Sequence, residues 1–314
     1  MDKRKLGRTG AEIAPLVLGG NVFGWTADEK TSFDILDAFL DGGFNAVDTA
    51  NVYSRFIPGN EGGESETVIG NWLEQSKRRD ELFLISKVGM DMGGGNKGLS
   101  SKLIIENCEA SLKRLKTDHI DLYFSHAPDS ETPMEETLKA HQTLVDAGKI
   151  RFVGASNYDA SQLAGALEAG EADGCASYDV LQPHFNLISR DQYEGALEDL
   201  CAKHGLGVIS YFSLAMGFLT GKYRSRDDDL DKSPRGRRME DWFTDRNMAL
   251  LDTMDEIAAA HDATLAQVAL AWVMARPSIT APIASATSLD QLTDIMGAAS
   301  LELKQSQIEQ LNGV

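Results

Sequence analysis

Short β-rich runs alternate with stretches of helical period along nearly the whole chain. Apolar and β-branched residues concentrate at 16–20, 45–50, 82–88, 120–127, 150–157, 180–186, 206–213 and 281–287. Runs of that length bounded by Gly, Pro and Asp predict eight strands. Between them apolar positions recur every three or four residues over 28–41, 64–76, 100–116, 133–147, 159–169, 189–204 and the pair 244–261 and 264–276, which predicts helices. Strands joined through helices run parallel, because a parallel crossover needs a dozen or so residues and packs back on the sheet. Eight such units predict an α/β fold, a closed (β/α)8 TIM barrel. Ahead of it, LGRTGAEIAP reads as an N-terminal β-hairpin punctuated by Gly7, Gly10 and Pro15. An open doubly wound sheet is the rival, but the first strand ends in LGGNVFG and lacks the G-x-G-x-x-G turn that such sheets use for dinucleotides. No composition shift marks a linker, so residues 1–314 read as a single barrel domain. The Gly-rich stretch MDMGGGNKG at 90–98 lacks a Walker-type Lys-Ser/Thr and reads as a surface loop.

Composition narrows the partners. The 48 acidic against 30 basic residues give a net charge of -18, which repels nucleic acid and anionic lipid. No apolar run approaches the ~18 residues of a membrane span. The three cysteines, Cys108, Cys175 and Cys201, lack metal-type spacing, and MDKRKLGRTGAE carries no apolar signal region, so a reduced, cytoplasmic setting is expected. Oligomeric state is not encoded in any pattern of this kind.

The chemistry of such a barrel lies at the carboxyl ends of its strands. Asp48 closes the second strand, Tyr53 follows it, Lys87 closes the third and His126 the fourth. Any one of these could be a helix cap or a satisfied core residue; the four together suggest a site. An ammonium beside a tyrosine, whose ordinary pKa is ~10, makes the phenol a usable acid, and a carboxylate would hold that ammonium charged. A histidine can donate to a substrate carbonyl. A carbonyl that gains a proton also needs hydride, which side chains do not supply, so a nicotinamide cofactor is implied. Ser156 and Asn157, which close the fifth strand, and Gln182 in the sixth could bond its carboxamide, and Tyr211 in the seventh could stack on its ring. Asn157 as a helix cap and Tyr211 as a core aromatic are the plainer alternatives. The segment 217–238 carries seven bases from Lys222 to Arg238 against four acids, a local inversion suited to phosphates, and SATSLDQL at 285–292 leads into a helix N-terminus.

GGFNAVDTANVY, ISKVG, SLKRLKTDHIDLYFSHAPD, GASNY, LQPHFN and ISYFSLAMGFLTGKY together resemble the aldo-keto reductase family over nearly the whole chain. The resemblance implies NAD(P)H-dependent reduction of an aldehyde or ketone, with Asp48, Tyr53, Lys87 and His126 as the catalytic tetrad. It implies that Ser156, Asn157 and Gln182 hold the carboxamide, Tyr211 stacks on nicotinamide, and Ser213, Leu214, Gly221, Lys222 and Arg237 enclose the pyrophosphate. Ser285, Thr287 and Gln291 fall at the adenine end, where NADPH is favoured over NADH. Thr287 stands where many members place arginine or serine, and Ile295 where they place asparagine. Trp25, Phe56 and Met92 suggest an apolar mouth, with the insertion 54–66 bringing Arg55 or Phe56 over it. The rival reading within the family is a cofactor-binding, redox-sensing or regulatory protein with little turnover. A metal-dependent hydrolase using His126, Asp48 and His184 lacks H-x-H or H-E-x-x-H spacing.

Overall fold

The computed structural model describes residues 2–228, 230 and 236–314. Strands β1 (Arg4–Lys5) and β2 (Glu12–Ile13) form the hairpin, paired antiparallel with Arg4 opposite Ile13. Eight further strands follow: β3 (Val17–Gly19), β4 (Ala46–Asp48), β5 (Phe83–Val88), β6 (Ile120–Ser125), β7 (Ile150–Ser156), β8 (Val180–Gln182), β9 (Gly207–Ser210) and β10 (Ala281–Ala284). They close into a barrel in the order β10-β3-β4-β5-β6-β7-β8-β9, with every pairing parallel. The helices are α1 (Glu29–Asp41), α2 (Glu64–Ser76), α3 (Ser101–Leu115), α4 (Met134–Asp146), α5 (Ala160–Asp173), α6 (Ala196–His204), α7 (Asp245–His261), α8 (Leu265–Met274), α9 (Leu289–Gly297) and α10 (Gln305–Gly313). The predicted TIM barrel and hairpin are therefore present.

Two differences have local causes. The helix expected over 189–204 begins only at Ala196, because Gly195 sits at φ 90, ψ -129 and residues 191–195 form a turn. The strand expected over 180–186 stops at Gln182, where Pro183 has no N–H to continue the ladder. Beyond it, His184 and Tyr211 form an isolated bridge.

The period-two alternation of the strands divides the core in two. Val17, Ala46, Phe83, Ile85, Leu122, Phe124, Val180, Ile209, Ala281 and Ile283 fill the barrel, and Leu6 and Ile13 of the hairpin join them. Intervening residues such as Leu18, Val47, Leu84, Tyr123 and Val153 pack outward against the helices. The plug fits closely: an added Cβ on Gly7 would lie 2.0 Å from Gly207 N.

Polar residues on the outward face need partners behind the wall. Ser125 bonds His141 Nε2 of α4 at 3.1 Å and accepts from Tyr178 Oη at 2.8 Å. His141 is fully buried, and burial pushes its pKa down to about 3. The unfolded ring takes up a proton near pH 6.5 and the folded ring does not. Stability therefore rises with pH between about 3 and 6.5, by up to about 1.4 kcal/mol per pH unit, and is flat in this respect above 6.5. His141→Gln should flatten that acid slope by the same amount in urea unfolding measured at successive pH values. An unchanged slope would mean that the buried ring is not a source of acid lability.

Candidate active site

Alternation also aims the next inward positions at the barrel mouth. It carries Ala46 to Asp48 on β4, Ile85 to Lys87 on β5, Phe124 to His126 past β6, Phe152 and Gly154 to Ser156 on β7, Val180 to Gln182 on β8, and Ile209 to Tyr211 past β9. Gly154 is needed at its level, since a Cβ there would meet the Phe124 ring at 2.3 Å. All six polar side chains thus gather at the carboxyl end of one barrel. Tyr53 reaches the same place from the turn after β4, where Ser54 adopts φ 72 and bonds Phe23 O at 3.0 Å.

Lys87 is fully enclosed, and its three donors are all engaged: Asp48 Oδ2 at 2.6 Å, Thr49 O at 2.8 Å and Tyr53 Oη at 2.9 Å. Burial lowers its pKa from the ordinary lysine value, and Asp48 opposes that shift. The phenol also lies 3.1 Å from Asp48 Oδ2, while Asp48 Oδ1 accepts from Gln182 Nε2 at 2.9 Å. Both carboxylate oxygens are therefore bonded, and a lysine with three acceptors, one of them a carboxylate, keeps its proton. His126 packs edge-on to Tyr53 with ring centroids 6.0 Å apart. Burial, helped by the Lys87 charge, holds its pKa well below the ordinary histidine range, so the ring is neutral. Among the described residues its Nδ1 is buried without a partner. We place the single ring proton on Nε2, because a buried N–H without an acceptor costs more than a buried lone pair.

The polar residues next to this cluster form a chain. Ser156 Oγ donates to Gln182 O at 2.9 Å, and Asn157 Nδ2 donates to His126 O at 2.8 Å and Ser156 Oγ at 3.2 Å. Asn157 does not cap α5; Asp159 and Gln162 form that capping box, and Asn157 instead sits at φ 62. Tyr211 is only partly buried; burial raises its pKa, and its hydroxyl donates to Asn157 Oδ1 at 2.6 Å. His184 backs its ring at 5.3 Å with the planes 20° apart.

The loop after β9 is unusual backbone. Phe212, Ala215 and Met216 take φ of 54, 47 and 52, and Gly217 takes 103. Strain of this kind is retained where a fixed shape is needed. Ser213 is buried and donates to Ser210 O at 3.1 Å, so it and Leu214 offer the mouth only backbone. Lys222 lies over Gly217, with its Cε and Nζ 3.4 Å from an ideal Cβ, and follows Gly221 at φ 70. Arg224 is engaged by Asp255 at 2.8 Å and by Gly221 O at 2.9 Å. Arg237 falls outside the described side chains. At the α9 end, Ser285 donates to Asn21 at 2.7 Å, Gln291 Oε1 accepts from Thr287 N and Oγ1 at 2.9 and 3.1 Å, and Ser288 caps the helix. Ile295 is a core residue, 3% exposed.

Over the mouth, Trp25 and the exposed Phe56 pack edge to face at 4.9 Å. The insertion meets the 90–98 loop, with Met92 against Gly62 and Arg55 against Gly93, around a groove of about 630 Å³. No strand-end position or motif points to the partners behind the barrel wall, Glu66, Ser86 and Arg114, or to the backing role of His184. A usable signal was present for one of them: Glu66 lies three residues before Ile69 and seven before Leu73, on the apolar stripe of α2.

A family model described as Aldo/keto reductase family matches residues 15–314. The chain is 34% identical to an uncharacterized oxidoreductase, YrpG, of Bacillus subtilis, covering 100% of this chain and 96% of that protein. It is 32% identical to a probable voltage-gated potassium channel subunit beta of Arabidopsis thaliana, over 96% of this chain and 92% of the relative. It is 29% identical to a norsolorinic acid reductase of Aspergillus flavus, over 96% and 78% respectively.

Proposed function

The chain belongs to the aldo/keto reductase family of NAD(P)H-dependent oxidoreductases acting on small carbonyl compounds, and we propose that it takes NADPH as hydride source and Tyr53 as proton donor. The contact that carries this reading is the Lys87 ammonium, 2.9 Å from the Tyr53 hydroxyl and 2.6 Å from Asp48. The ammonium favours the phenolate that remains after proton transfer, and Asp48 keeps the ammonium in place. His126 is a weaker acid when neutral, so its part is to donate from Nε2 to the carbonyl oxygen and orient it. Tyr53 then delivers its proton to that oxygen.

The residues present suit a nicotinamide dinucleotide. Among the described residues Gln182 keeps its Oε1 and one amide hydrogen unbonded at the mouth, and the Tyr211 ring is held flat by His184. The strained loop at 212–217 and Lys222 are where a pyrophosphate would be held, with backbone donors and one ammonium. Ser285, Thr287, Gln291 and the amino end of α9 would take the adenine-side phosphate, although Asp290 in the first turn works against it. When bound, the reduced nicotinamide supplies hydride to the carbonyl carbon.

The reading is tested by titrating the four tryptophans with NADPH and with NADH, and then following oxidation of the reduced cofactor against a panel of aldehydes and ketones. We expect quenching by both, with NADPH binding about tenfold tighter or more through its extra phosphate, and turnover of at least one carbonyl. Equal affinities, or tighter NADH, would remove the NADPH assignment. Two plant relatives are named probable potassium channel subunit beta, which favours a second reading, a cofactor-loaded protein with little turnover. Tight cofactor binding with no carbonyl consumed across the panel would select it.

A further inference from the structure

We propose that Glu66 and Arg114, an ion pair behind the barrel wall, are positioning residues that hold Lys87 and Tyr53 in register. The proposal rests on the reading of Tyr53 as proton donor and Lys87 as its activator. Glu66 lies in the first turn of α2 and is wholly buried, a costly place for a carboxylate unless both oxygens are bonded. They are. Oε1 accepts from Ser86 Oγ at 2.5 Å, and Oε2 accepts from Arg114 Nε at 2.7 Å.

Each bond leads to one member of the catalytic pair. Ser86 directly precedes Lys87 on β5, and alternation means that fixing Ser86 outward fixes Lys87 inward. The Arg114 guanidinium occupies the place of a side chain at Gly63, where an ideal Cβ would lie 2.4 Å from Nε. Gly63, at φ 86, donates its N–H to Tyr53 O at 3.3 Å. The guanidinium therefore supports the underside of the turn that presents the phenol. The neighbouring Ser65 completes the set: its hydroxyl lies 2.8 Å from Thr49 Oγ1 and 2.7 Å from Gly20 O, and Thr49 O is itself an acceptor for Lys87. The first turn of α2 thus touches three of the points on which the geometry of Lys87 and Tyr53 depends.

The pair also carries charge. The titratable groups around Lys87 are Asp48, Tyr53 and His126 inside the barrel and Glu66 with Arg114 behind it. The Glu66 anion favours the protonated form of the Lys87–Tyr53 pair, and Arg114 offsets part of that. Removing only Glu66 leaves Arg114 uncompensated, and both changes act in one direction, so the pair should lose its proton at lower pH.

The test compares Glu66→Gln, Arg114→Met and the double variant in kcat, KM, cofactor affinity by fluorescence and the pH profile of kcat. In Glu66→Gln we expect kcat about ten- to a hundredfold lower, unchanged cofactor affinity, and an alkaline limb moved to lower pH. In the double variant the limb should return toward the parental position while kcat stays low, because the charge is rebalanced but the supports are gone. Glu66→Gln with lower stability but parental kcat and limb would reduce the pair to a staple between α2 and α3 and overturn the proposal. If Glu66→Gln does not fold, Ser86→Ala keeps the ion pair and should still lower kcat several-fold; a parental kcat there overturns it equally. Tyr53→Phe separates the two layers. If it turns over normally, the reading of the acid fails; if it is inactive while the Glu66 variants behave as parent, only the positioning role fails.

Discussion

Tyr53→Phe should lower kcat by about 10²- to 10⁴-fold, the usual contribution of a positioned acid, while cofactor affinity stays parental. The substitution removes only the hydroxyl. Lys87 keeps Asp48 and Thr49 as acceptors but loses its third, and the phenol's bond to Asp48 goes with it, so the fold should lose about 1–3 kcal/mol, the cost of leaving a buried donor unpaired. His126 is a poor substitute, since its neutral ring holds the remaining N–H far more tightly than a phenol holds its proton. Steady-state kinetics with a reactive aldehyde, alongside the fluorescence titration, gives the answer. Parental turnover would show that the proton comes from elsewhere.

Lys87→Met is expected to damage both turnover and stability. It leaves the Asp48 carboxylate, 2% exposed, with Gln182 and Tyr53 but no counter-charge. Removing one member of a buried pair in this way costs about 3–5 kcal/mol. Turnover should fall at least as far as in Tyr53→Phe, since the phenol loses the charge that makes it acidic. Lys87→Met combined with Asp48→Asn removes the stranded charge and keeps a polar partner for Gln182. Urea unfolding should then recover most of the stability, while kcat stays low. Recovery of kcat together with stability would mean that Lys87 serves the fold alone.

Much of this arrangement is legible in the chain because its causes are local. The run FNAVDTA shows an alternation in which Ala46 and Asp48 share a face, and FLISKV does the same for Ile85 and Lys87. Once the runs are strands and the fold is a barrel, the last inward position of each is a mouth position. Asn157 is ambiguous for an equally local reason: it stands three residues before α5, close enough to the expected helix start to be taken for its cap, and only the folded chain shows that Asp159, directly before the helix, takes that part. The late start of α6 has a local cause too, the positive φ of Gly195, but helical periodicity does not register a single backbone angle.

The sequence alone determined the alternation of strands and helices, the side chains at the last inward strand positions and the reaction type they suit, because strand and helix periods depend on residues a few places apart. Tertiary structure alone decided that Gln182 holds Asp48, that His184 backs Tyr211, that residues 212–217 carry strained backbone, and that Glu66 is shared by Ser86 and Arg114. These partners lie on different strands and helices, and the closure of the barrel is what brings them within bonding distance. A pattern along the chain records which face a residue occupies, whereas the identity of the atom opposite that face is set when the faces meet.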